Sequence, residues 1–245
     1  MDDFFYKLGQ KAGGSLRKGR WVWSSLTGSE AEALAAEYQA GCDLARALDA
    51  ESRFDEDPEC AELVAGISER LTRRLNNKQR RWRVVVTSSD EPNALALPGG
   101  FIYVSRGLLE LCRHNADEIA CVVGHEMGHV VHGHAMERLT NEVLGSAAAK
   151  ALRAPGGVLA QWILDTGVKL LGRAYSRGRE LQADEFGARL AAAAGYDPRG
   201  AIRAFERLRA LQPDDEHPLA EYFATHPPLE ERTAKLRALI RVRKS

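Results

Sequence analysis

The stretch Asn115-Ala-Asp-Glu-Ile-Ala-Cys-Val-Val-Gly-His125-Glu126-Met127-Gly128-His129 decides what the surrounding chain has to be. Asn115 is a favoured helix N-cap, Asp117 adds negative charge to the first turn, and Glu118 stands where a capping-box partner reaches back. A helix therefore starts just ahead of Ala116. Its lead-in, Ile119 to Val123, is apolar nearly all round, as in a helix that crosses the core of a domain. At the far end His125 and His129 lie four residues apart on one face, so both imidazoles can reach a single ion. Glu126 falls at the edge of that face, where it can take a proton from a metal-bound water instead of binding the metal. Two solvated histidines on a surface helix would be the bland alternative, and the apolar lead-in argues against it.

A catalytic zinc usually has three protein ligands and a water, and this motif supplies two. In the metzincin pattern a glycine and a third histidine follow, but those places hold His132 and Ala135, which excludes that pattern. His132 lies two turns on, too far along for the same ion, and reads as a groove or surface residue. His134 points to the opposite face and reads as a hydrogen-bonded structural histidine. A carboxylate from a second helix is the other source. Glu180 and Asp184 stand four apart, so Glu180 could bind the ion while Asp184 accepts a hydrogen bond from a ligating histidine and fixes its tautomer. A solvated acidic pair fits the same spacing, although Leu181, Phe186 and Leu190 give this helix an apolar stripe. On the residues alone both readings stay open.

His125-Glu-Met-Gly-His129 with His134 following, Glu180-x-x-x-Asp184, Asn93-Ala-Leu-Ala-Leu-Pro-Gly-Gly100 and Thr225-His-Pro-Pro-Leu-Glu-Glu-Arg232 occur in an order similar to that of the HtpX, CAAX-prenyl-protease and Oma-type zinc metallopeptidases. The resemblance covers roughly residues 80 to 235. It implies an α+β, helix-dominated gluzincin fold, one zinc ion per chain on His125, His129 and Glu180, and Glu126 as general base. It also implies that His226 stabilises the oxyanion of the tetrahedral intermediate, with Arg232 in support. Asn93, Ala94, Leu95, Ala96, Leu97, Gly99 and Gly100 would form the strand beside the active site, able to hold an extended polypeptide by main-chain hydrogen bonds. HtpX and the CAAX proteases carry transmembrane helices, whereas this sequence has no uninterrupted apolar run of the ~20 residues a span needs.

Strand signals occur at Arg81 to Thr87 and at Phe101 to Ser105, with Pro98-Gly99-Gly100 as the turn before the second. They predict one small antiparallel sheet. Ser29-Glu-Ala-Glu32 is a capping box opening a helix to about Ser52, and Asp57-Pro58 caps another to about Leu75. Residues 1–75 are thus expected to be a helical extension packed on a protease domain over 76–245. Trp21 and Trp23 read as packing anchors. Val143 to Leu171 reads as a helix end, a Gly/Pro break and a second amphipathic helix that packs, lines the groove or docks at a membrane surface.

The 245 residues carry zero formal net charge and 44% hydrophobic residues, which excludes a disordered chain and gives no global basic field for nucleic acid. Cys42, Cys60, Cys112 and Cys121 show no paired CxxC spacing and read as reduced thiols. With no signal-like start, a cytoplasmic protein is expected, with peripheral membrane contact open. The functional expectation is a zinc endopeptidase acting on extended or unfolded protein segments. A zinc-bound, chaperone-like peptide-binding module or a latent protease that needs activation is the alternative.

Overall fold

A computed structural model of the chain describes residues 29–145, 175–211 and 229–242. Trp21, Trp23, His226 and most of the Val143 to Leu171 segment lie outside the described residues. In chain order the elements are α1 (Glu30–Glu51), α2 (Pro58–Thr72), β1 (Arg83–Thr87), β2 (Ala94–Leu97), β3 (Phe101–Ser105), α3 (Arg106–Leu111), α4 (Ala116–Val131), α5 (His134–Gly145), α6 (Arg177–Ala193), α7 (Gly200–Ala210) and α8 (Leu229–Val242). Both expected N-terminal caps form: Ser29 and Glu32 make a reciprocal capping box, and the Asp57 side chain accepts from the Glu59 amide ahead of Pro58.

The sheet is mixed, which corrects the antiparallel expectation. Its order is β1-β3-β2, with β2 antiparallel to β3 and β1 parallel to it, Arg83 opposite Phe101. The Pro98–Gly100 turn, whose Gly99 and Gly100 adopt φ of 77° and 96°, reverses the chain only between β2 and β3. The link 88–93 instead carries the chain past the end of β3, where the Asn93 amide donates to Ser105 Oγ at 2.8 Å and the Gly107 amide to the Ser89 carbonyl at 2.9 Å. β1 and β2 therefore flank β3 on opposite sides. All five residues of β3 are buried, as a central strand requires, and β2 is left at an edge of the sheet.

α4 runs through the main core. Ile119, Ala120, Val123 and Met127 are fully buried against Cys60, Val64, Ile67 and Leu71 of α2 and Ile102 and Val104 of β3. The Asn115 cap forms, its side chain accepting from the Asp117 and Glu118 amides. Glu118, however, does not reach back. Its buried carboxylate takes Arg203 Nε at 3.3 Å and Arg207 Nε at 2.6 Å, tying α4 to α7. Two arginines on a neighbouring helix neutralise a buried carboxylate better than one backbone amide does.

α4 and α6 cross at a glycine contact. A Cβ on Gly187 would meet the His125 backbone nitrogen at 2.6 Å, and one on Gly124 would meet the Gly187 carbonyl oxygen at 3.0 Å. Larger side chains there would push the histidine helix away from the helix bearing Glu180. Among the described residues no helix is long and apolar enough to cross a membrane.

Candidate metal centre

Helix period and helix crossing together assemble the site. His125 and His129 project from α4, one turn apart, and Glu180 projects from the first turn of α6 across the glycine contact. The two histidine Nε2 atoms are 3.1 Å apart. Glu180 Oε2 lies 3.6 Å from His125 Nε2, and its Oε1 lies 3.6 Å from His129 Nε2. Tetrahedral zinc with bonds of ~2.0–2.1 Å separates its ligand atoms by roughly 3.3 Å, so these distances suit that ion. His129 and Glu180 are almost wholly buried, and Glu180 Oε2 makes no aligned hydrogen bond but has the Arg232 guanidinium 3.1 Å away. That one guanidinium is shared with the Asp184 carboxylate, so the buried pair of carboxylates can still take up a metal cation. Two neutral imidazoles and one carboxylate, all within 4.8 Å of one another, fit a zinc ion.

Each candidate ligand has an outer partner. Asp184 Oδ1 stands 2.8 Å from His125 Nδ1, a close but bent approach. Burial lowers the affinity of the His125 ring for a proton, but Asp184 and Glu180 outweigh it and raise its pKa. The His129 pKa is pushed far down by burial and by His125 and His134, which keeps that ring neutral and ready to bind. His129 Nδ1 faces His134 Nδ1 at 3.0 Å; His134 Nε2 meets Gln182 Oε1 at 3.1 Å, and Gln182 Nε2 meets His132 Nδ1 at 3.2 Å. A His129 bound to metal through Nε2 must donate from Nδ1, and the rest of this chain can then donate in one direction towards His132 at the site's edge. His134 is buried and hydrogen-bonded and His132 is exposed, but α4 ends at Val131 and His134 opens α5, so it faces His129 and not the opposite side expected from a continuous helix.

Arg232, from α8, is 1% exposed. Its Nε and Nη2 donate to Asp184 Oδ2 and Oδ1 at 2.8 and 2.7 Å, and its Nη1 lies 3.1 Å from Glu180 Oε2. Burial alone would raise the Asp184 pKa, but Arg232 and His125 hold it at about 2. The guanidinium is thus engaged with the two carboxylates of α6, contacts that the sequence reading, which had Arg232 supporting His226, did not foresee.

Glu126 lies between the metal group and β2. Desolvation raises its pKa and the Glu180 charge adds to this, while His125, the Ala96 backbone and Arg232 oppose the rise. A carboxylate moved up towards neutrality is suited to accept and later return a proton. A cavity of about 120 Å³ opens here, lined by Glu126, the three candidate ligands and Tyr175 and by the apolar side chains of Leu108, Val122, Ala204, Phe205 and Leu208. Asn93, Ala94, Leu95 and Ala96 of the predicted substrate strand line it too. Leu97, Gly99 and Gly100 do not, which corrects that part of the expectation. They are buried under α1, where the Gly99 amide donates to Glu37 Oε1 at 3.1 Å.

Tyr175 was passed over in the sequence. Its ring stacks on His129 at 4.1 Å, Arg138 Cζ lies 3.7 Å from its centroid, and burial pushes its pKa up. The one signal available was an aromatic directly before the helix-capping Ser176.

The chain matches the family model described as Peptidase family M48 over residues 59–240. It is 36% identical over 155 residues to the mitochondrial metalloendopeptidase OMA1 of Arabidopsis thaliana, covering 63% of this chain and 31% of that protein. Identity is 32% over 178 residues to metalloprotease YcaL of Escherichia coli (strain K12), covering 71% and 67% of the two chains. It is 30% over 183 residues to metalloprotease LoiP of the same strain, covering 73% and 70%. The match thus spans less than a third of the plant protein and about two thirds of each bacterial one.

Proposed function

The chain belongs to peptidase family M48, and on that footing we propose that it is a zinc-dependent endopeptidase acting on extended or unfolded protein segments. The observation that carries this reading is the convergence of His125 Nε2, His129 Nε2 and the Glu180 carboxylate beside Glu126. His125, His129 and Glu180 would hold one zinc ion, which when bound lowers the pKa of a water and polarises a carbonyl. Glu126 takes the proton of the attacking water and passes it to the leaving amine. Asp184 and His134 fix the two imidazoles, and Arg232 fixes Glu180 and Asp184 by neutralising both. His226, outside the described residues, keeps its assignment to the oxyanion as part of this proposal.

β2 is an edge strand whose residues line the cavity, so an extended substrate can pair with it by main-chain hydrogen bonds and cross the metal group. Such binding reads backbone more than side chains and selects for segments that are not already folded. The apolar wall of Leu108, Val122, Ala204, Phe205 and Leu208 favours an apolar side chain beside the scissile bond. The test is to load the purified chain with one equivalent of zinc and incubate it with an unfolded protein and with the same protein folded. Cleavage of the unfolded form, abolished by a chelator and restored by zinc, supports the proposal; a zinc-loaded chain that cleaves neither overturns it.

A further inference from the structure

Tyr175 immediately precedes Ser176, the N-cap of the helix that carries Glu180, so its position is tied to that of the third candidate ligand. Its ring has His129 at 4.1 Å and Arg138 Cζ at 3.7 Å from the same centroid. Two groups that close to one centroid must occupy opposite faces, so the ring is clamped. Tyr175 is 9% exposed and lines the cavity together with Glu126, His129 and Glu180. Its hydroxyl is buried and has no hydrogen-bond partner among the described residues.

Buried tyrosine hydroxyls normally find partners. This fold satisfies another one fully: Tyr103 Oη donates to Asp49 Oδ1 at 2.8 Å and accepts from Arg83 Nη1 at 3.0 Å. A ring needed only for packing on His129 would be served as well by phenylalanine, with no polar atom to desolvate. A clamped, buried donor without a partner among the described residues, on a residue that lines the cavity holding the general base, is positioned for something that enters.

We propose that Tyr175 is a catalytic residue, whose hydroxyl donates a hydrogen bond to the scissile carbonyl oxygen as that oxygen becomes negative. The proposal rests on the peptidase reading above. In the first step the water oxygen bonds to the carbonyl carbon, the water proton goes to Glu126, and the carbonyl π electrons move onto the oxygen facing Tyr175. In the second step the C–N bond breaks, the oxygen's electron pair re-forms the carbonyl, and the amine leaves with the proton from Glu126. Tyr175 keeps its own proton throughout. Its hydrogen bond is stronger to the intermediate than to the neutral carbonyl, so it acts on turnover more than on binding.

The experiment compares zinc-loaded wild type, Tyr175→Phe and Glu126→Gln on one unfolded substrate, with zinc content, melting temperature and affinity for a phosphonamidate peptide measured on each. Loss of one oxyanion donor typically costs about 10²–10³ in kcat. The expected result for Tyr175→Phe is a loss of that size with KM little changed, full zinc content, an equal or higher melting temperature, and weaker phosphonamidate binding in proportion to kcat/KM. Wild-type turnover in Tyr175→Phe, or a loss matched by lost zinc or a lowered melting temperature, overturns the inference. If Glu126→Gln is inactive while Tyr175→Phe is not, the peptidase reading survives and this inference alone fails. An inactive zinc-loaded wild type overturns both.

Discussion

Arg232 and Asp184 form a buried, two-pronged pair, Nε to Oδ2 at 2.8 Å and Nη2 to Oδ1 at 2.7 Å, and the third guanidinium nitrogen reaches Glu180. One cation thus balances two carboxylates beside the group proposed to bind zinc. Arg232→Met would leave both carboxylates buried without it, and breaking a buried pair from one side costs about 3–5 kcal/mol. The metal-free variant should show that loss in urea unfolding, and added zinc should recover part of it. Arg232→Lys should fall between, since a point charge cannot bridge Asp184 in fork geometry and reach Glu180 as well.

His134 is the partner of His129 Nδ1 at 3.0 Å. Replacing it with leucine removes the acceptor that orients a candidate ligand, and outer partners of this kind typically contribute about 10–100-fold to metal affinity. Chelator competition should show zinc binding weakened by that factor in His134→Leu, with His132→Ala close to wild type because its partner Gln182 is exposed to water.

Ala204 is buried in the apolar wall of the cavity. Ala204→Leu would fill the space proposed for a substrate side chain. One methylene in an apolar pocket changes discrimination by about 10–200-fold. Peptides with leucine or phenylalanine beside the cleaved bond should lose kcat/KM by at least the lower figure, while those with alanine there lose little. Unchanged preference in a peptide library would remove the wall from the substrate site.

Asp197 sits away from the metal group, with Arg199 Nε at 3.0 Å and Arg203 Nη1 at 3.1 Å. Burial alone would raise its pKa, but hydrogen bonds from Arg199 and Arg203 hold it at about 2. A carboxylate whose pKa is lowered on folding adds stability above its unfolded value of ~3.9, and loses that contribution as pH falls towards its folded value. Asp197→Asn should therefore be less stable than wild type above pH ~4, with the difference closing between pH ~4 and ~2. Urea unfolding across that range reads it directly, and a difference that persists undiminished at pH ~2 would mean the charge is not its source.

Burial drives the thiol pKa of Cys60 to about 11 and those of Cys112 and Cys121 to about 12. Cys42 is the least buried of the four. A thiol reagent at pH 8 should modify Cys42 in the native protein and the other three only after denaturation.

The histidine pair of the metal group was legible because helix period turns spacing into geometry, whereas Glu180 was singled out as a ligand only by the family resemblance. His125 and His129 four apart, and Glu180 and Asp184 four apart, each name one face of one helix, and the caps at Ser29, Asp57 and Asn115 are equally local. What was not legible depends on partners distant in the chain. The direction of β1 is set by which side of β3 it packs on, and nothing between 83 and 105 encodes that. Glu118 had a good local partner in Asn115 and a better distant one in Arg203 and Arg207. Leu97, Gly99 and Gly100 continue the strand pattern of 93–96, but α1 covers them and its approach cannot be read from the strand. A single tyrosine ahead of a cap has no period at all, and Tyr175 became visible only through the ring of His129 and its own unmatched hydroxyl.

The most direct test of the whole account is Glu126→Gln. The substitution keeps the size of the side chain and leaves His125, His129 and Glu180 untouched, but an amide cannot take a proton from water. The variant should hold one zinc per chain, as is expected of the wild type, while cleavage of an unfolded protein falls by about 10²–10⁴-fold, the usual contribution of a positioned acid–base group. Wild-type cleavage by a zinc-loaded Glu126→Gln chain would contradict the account.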